Sequence, residues 1–79
     1  MPYRVMSIHH DAPGDPTCVD IFETLESAKY AIKDILDLAK TEFEPDAAIY
    51  SDDTRLGVFG WLVWKTGWIA LHVFDSPSI

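Results

Sequence analysis

Residues Gly57–Phe74 read GVFGWLVWKTGWIALHVF. The stretch holds all three tryptophans and two of the four phenylalanines, and its one charged residue is Lys65. It reads as a β-hairpin. Lys65-Thr66-Gly67 suits a three-residue loop with Gly67 in the left-handed position of a bulge. That register pairs Trp64 with Trp68, Leu62 with Ala70, Gly60 with His72 and Val58 with Phe74 on one face. The other face pairs Val63 with Ile69, Trp61 with Leu71 and Phe59 with Val73. This second face is wholly apolar and is expected to meet a helix. A one-residue slip in register would exchange the two sets, but neither assignment gives a polar face.

One helix covers one side of a sheet. The first face is therefore expected to be buried in a homodimer, with Val58, Leu62, Trp64, Trp68 and Phe74 at the interface. The alternatives are that it docks a partner or that the chain's own loops and tail fold over it. Each large apolar side chain left in water forgoes about 1.5–3 kcal/mol relative to burial. Over such a face the sum rivals the ~5–15 kcal/mol that holds a typical domain folded.

At 79 residues, residues 1–79 are expected to form a single small domain. Chains of this size bury only about 60–65% of their unfolded surface, and disulfides, metals or oligomers commonly reinforce them. Cys18 is the only cysteine, so an intrachain disulfide is excluded. The opening MPYRVMSIHH lacks the basic head and apolar run of a secretory signal. Lys65 and Gly67 interrupt the longest apolar run, so no membrane span is expected and the cytoplasm is the expected location. Thirteen acidic side chains against six basic ones give a net charge of −7. That charge repels phosphate backbones and anionic lipids and argues against direct nucleic-acid or membrane binding.

Tyr3–His9 alternates as a first strand, and Asp11–Pro16 is dense in turn formers and reads as a loop. Thr17–Glu23 follows as a second strand, the two forming a hairpin, with Cys18 read as a small buried hydrophobe. Thr24 is a helix N-cap. From Leu25 to about Glu42, residues Leu25, Ala28, Ala31, Ile32, Ile35, Leu36, Leu38 and Ala39 make one apolar arc. Phe43 is expected to close the end of the core, and Pro45 stops the helix. Ala47–Tyr50 is a short third strand, Ser51–Arg55 a polar turn and Ser76–Ile79 a frayed tail. The expected fold is α+β: an antiparallel sheet of four or five strands with one helix on one face, in the order ββαβββ.

Candidate chemistry is sparse. His9, His10 and His72 could form an open metal site if the first and last strands were neighbours, but His9 and His10 point to opposite faces of a strand. Cys18 with a histidine could make a nucleophile pair. A ligand pocket between Trp64, Trp68 and His72 is a third reading. No glycine-rich phosphate loop or nucleophile elbow is present. Glu42, Glu44, Asp46, Asp52 and Asp53 lie close in sequence on either side of the third strand.

The run FETLESAKYAIKDI, residues 22–35, resembles the strand-to-helix junction of many small phage and prophage proteins. In size, acidity and compactness the chain resembles the anti-CRISPR proteins that phages use against bacterial Cas complexes. This resemblance implies a non-enzymatic inhibitor without cofactor or metal. An acidic surface of Asp34, Asp37, Glu42, Glu44, Asp46, Asp52 and Asp53 would engage a basic nucleic-acid-binding protein, such as a Cas subunit, and block its access to DNA. The alternative expectation is a small metal-binding enzyme or sensor using His9, His10 and His72.

Overall fold

The computed structural model describes residues 2–52 and 57–75. Asp53, Thr54 and Arg55 of the expected polar turn, and the tail Ser76–Ile79, lie outside them. The elements are β1 (Tyr3–His9), β2 (Ala12–Phe22), α1 (Leu25–Glu42), β3 (Ala47–Tyr50), β4 (Val58–Trp64) and β5 (Gly67–Asp75). The strands form one antiparallel sheet in the order β2-β1-β5-β4-β3, with α1 packed on one face. This is the expected α+β arrangement, and β5 at its centre joins the two halves.

The helix begins where Thr24 leaves extended backbone and its Oγ1 accepts a hydrogen bond from the Ser27 N–H at 3.1 Å. That bond satisfies one of the orphan donors of the first turn. Ala28, Ile32, Leu36 and Ala39 form the buried stripe, one residue per turn as a 3.6-residue period requires. They close on Val5, Phe59, Leu62 and Leu71 of the sheet. Leu38 and Phe43, expected in the core, are each 66% exposed. At 100° per residue Leu38 lies about 120° round from Ile32, too far to reach the sheet. Phe43 falls after the last helical turn, and its backbone is used instead of its ring. Its N–H donates to Ala39 O at 2.8 Å, and its carbonyl accepts from Trp64 Nε1 at 3.1 Å.

The second strand is longer than its prolines imply: β2 starts at Ala12, inside the expected loop. The register explains how. Ser7 pairs with Thr17 and His9 with Ala12, so the Pro13–Pro16 segment is surplus chain bulged from the ladder. Because β2 is an edge strand, the missing proline N–H groups cost no central pairing.

The hairpin differs from the expected one by a single residue. Trp64 pairs with Gly67, Val63 with Trp68, Leu62 with Ile69 and Trp61 with Ala70. The loop is therefore just Lys65-Thr66, and Gly67 is the first residue of β5. Gly67 lacks the left-handed φ expected of it; a Cβ there would overlap the ring of His10, whose Nδ1 accepts from the Trp68 N–H at 3.3 Å. A bulge between Val58 and Gly60 shifts the ladder once more and lets Phe59 and Gly60 both serve the helix side. In consequence Leu62, Trp64, Ile69 and Leu71 face α1, whereas Trp61, Val63, Trp68 and Ala70 lie on the open face.

Candidate partner-binding surface

The shift of register redistributes the residues expected at a dimer interface. Val58, Trp68 and Phe74 stand on the open face. Leu62, only 4% exposed, is core, and Trp64 packs against that core from the helix side. The expected pocket between Trp64, Trp68 and His72 is formed differently: Trp64 and Trp68 do line one small cavity at the end of the hairpin, but with His9 and His10, and His72 is not part of it. In their place the open face gains Trp61, whose ring meets that of Trp68 edge-on at 5.5 Å. Arg4, Met6 and Ile8 of β1 complete it, with Ile49 of β3 and Ile21 of β2 at its margins.

The histidines do not converge. His9 pairs with Ile69 on the helix side, His10 sits in the β1–β2 turn against Trp68, and His72 lies on the open face opposite Met6. Among the described residues no three His, Cys, Asp or Glu side chains stand where they could hold a metal ion. Cys18 is exposed, contrary to the expectation of burial, because it pairs with Met6 on the face of the edge strand turned away from the helix. Its Sγ makes only a long contact of 3.9 Å with the Asp20 carbonyl.

His72 stacks on Phe74 at 4.7 Å between ring centroids, and its Nδ1 is buried without a hydrogen bond. Burial lowers the pKa of His72 from its ordinary 6.5, since charging the ring there is disfavoured. The unfolded chain thus takes up this proton at higher pH than the folded one. Stability is full above pH 6.5, falls as pH drops below that value, and levels off once the folded ring also titrates. Urea midpoints measured between about pH 8 and pH 5 should show this decline, and His72→Gln should remove its contribution. A wild-type and variant pair with the same pH profile would contradict the assignment.

The acidic residues separate into two groups. Asp52 is engaged: Lys29 Nζ lies 3.1 Å from its Oδ1, and the Tyr50 hydroxyl donates to the same oxygen at 3.0 Å. Lys29 and then Tyr50 hold the Asp52 carboxyl below its usual range. Lys29 is raised in turn, chiefly by its bond to Asp52, and Tyr50 is raised by burial and then by the same carboxylate. Asp37 pairs with Lys40 at 3.6 Å. By contrast Asp34, Glu42, Glu44 and Asp46 are exposed and form no ion pair among the described residues. Asp53 lies outside the described residues.

Three of the unpaired carboxylates, Glu42, Glu44 and Asp46, cluster at the exit of α1, where the chain turns through Glu44 with φ +46°. Glu42 also lines an open groove of about 490 Å³ between the C-terminal half of the helix and the β1–β5 floor. Leu38, Phe43, Val19 and Ile35 supply its apolar walls, and Ser7 and His9 are the polar groups on its floor. An apolar cleft edged by the Glu42 carboxylate can hold a side chain that is greasy along its length and positive at its end. The sequence alone misses this groove because Leu38 and Phe43 read there as core. No family model, curated protein or solved structure matches the chain, and no helix among the described residues is long and apolar enough to cross a membrane.

Proposed function

We propose that this protein is a non-enzymatic binding module that docks a basic protein surface at the exit of its helix. The observation that supports the reading is that exposed Leu38 and Phe43 line one groove with Glu42, which Glu44 and Asp46 follow at the helix exit, none of the three carboxylates forming an ion pair among the described residues. Aromatic anchors in a polar rim are where binding energy concentrates, and the carboxylates would steer a basic partner and select against an acidic one. In its specific form the partner is a nucleic-acid-binding subunit of a bacterial Cas complex, and occupation of its basic surface blocks DNA access. The supports for that form are the resemblance in size and acidity and the net charge of −7.

The test is binding to purified DNA-binding Cas subunits, measured at low salt and at ~0.5 M, where the screening length is only a few ångströms. A complex that forms at low salt should weaken roughly tenfold or more at high salt. Neutralising the rim with Glu42→Gln, Glu44→Gln and Asp46→Asn should weaken it to a similar degree, and Phe43→Ala should raise the off-rate. Affinity unchanged by both salt and neutralisation would remove the electrostatic basis of the proposal.

A further inference from the structure

The open side of the sheet lies across the molecule from the helix exit and raises a separate question. We infer that this face packs against the same face of a second copy, so that two sheets enclose a shared core and the protein is a two-fold symmetric dimer.

Area is the first argument. Five strands spaced ~4.8 Å apart and about seven residues long at ~3.3 Å per residue present roughly 450 Å² in projection. Two such faces remove roughly 900 Å² before side-chain relief is counted, close to the ~1,000 Å² that separates specific interfaces from incidental ones. The second argument is the chemistry of the face. It carries Met6, Ile8, Trp61, Trp68 and Phe74 around the buried Ala70, with Arg4 at its margin, and among the described residues no aspartate or glutamate stands in register on it. In a chain of net charge −7 the described carboxylates lie on the other face, the edges and the turns. Two copies can therefore meet here without setting carboxylate against carboxylate, whereas a basic partner finds its complement at the helix exit. The third argument is His72, which lies within the face with its inner nitrogen already shut off from water and stacked on Phe74. A neutral ring in that setting suits a dry interface. Face-to-face sheets lie about 10 Å apart, close enough for the two tryptophans of one copy to interleave with those of the other, and a two-fold axis presents identical patches to each other.

Light scattering coupled to size exclusion tests the inference directly. At about 50 μM, well above the range of weak encounters, the expected mass is twice the 8.9 kDa of one chain. Met6→Glu, at a half-buried position in the middle of the face, should return the mass to one chain, as should Phe74→Glu, while Leu38→Glu on the helix side should leave the dimer intact. Should the glutamate variants fail to fold, dilution of the wild-type protein still decides the matter. Dissociation should shift tryptophan emission to the red as Trp61 and Trp68 become wet. A wild-type mass of one chain overturns the inference, as does an open series of aggregates. So does a dimer that survives both glutamate variants or dissociates without an emission change, since its contacts would lie elsewhere.

Discussion

Ile32→Ala is expected to leave most of the protein unfolded at room temperature. Ile32 is fully buried at the middle of the helix stripe, and removing three carbons from such a site costs about 2–5 kcal/mol. The spread in that range reflects how well the surroundings can collapse into the void. Here they collapse poorly. Directly opposite Ile32 stands Gly60, which has no side chain to move inward, and β4 is fixed on both sides by pairing with β3 and β5. The cost should fall in the upper half of the range, against a net stability of roughly 3–5 kcal/mol for a core of this size. Tyr30→Ala, on the same helix but 69% exposed, serves as the control and should change stability by less than about 0.5 kcal/mol. Urea denaturation followed by circular dichroism compares the two. Similar midpoints for both variants would mean that α1 does not bury the stripe described here.

The helix is the part of this fold most fully written in the sequence. Thr24, the spacing of Ala28, Ile32, Leu36 and Ala39, and Pro45 are local signals, and local geometry decides them. The sheet is less legible for a reason specific to this chain. Strand register is ordinarily set by the contrast between an apolar and a polar face, but β4 and β5 are apolar on both. With that contrast missing, a three-residue loop and a two-residue loop read equally well, and the choice between them moves Leu62 and Trp64 into the core and Trp61 and Val63 out of it. What selects the shorter loop is long-range: the His10 ring occupies the space over Gly67, and His10 is 57 positions away in sequence.

The same limit applies to the candidate binding surface. Glu42, Glu44 and Asp46 are visible as acidic residues in the sequence, but that they form no ion pair among the described residues while Asp52 has two partners depends on where Lys29 and Tyr50 come to rest. The groove depends on it further. Leu38 and Phe43 are apolar residues beside an apolar arc, and only their exposure in the folded chain shows that they overhang a cleft instead of filling it.

Gly60→Val should destabilise the protein by about 1–3 kcal/mol, the usual cost of forcing volume into a packed core. Strand preference alone predicts the opposite, since replacing glycine in a strand relieves an entropic cost of roughly 0.5–1 kcal/mol. Geometry decides between them. A Cβ on Gly60 would stand 2.9 Å from Ile32 Cγ2 and 3.3 Å from both Leu36 Cδ1 and Leu71 Cδ1. All three belong to buried side chains that form the core, so none can swing aside into solvent, and valine adds two further methyls to a space already closed to one. Relief must come from lifting α1 off the sheet, which loosens the whole stripe. Gly60→Ala should show the same effect at smaller size. It should also couple to Ile32→Ala, because the added methyl enters the volume that the isoleucine vacates. The double variant is then expected to be more stable than the sum of the single changes by about 1 kcal/mol. Measuring the cycle at a fixed concentration of a stabilising osmolyte keeps the weakest member folded. Strict additivity would show that strand and helix do not meet at this point.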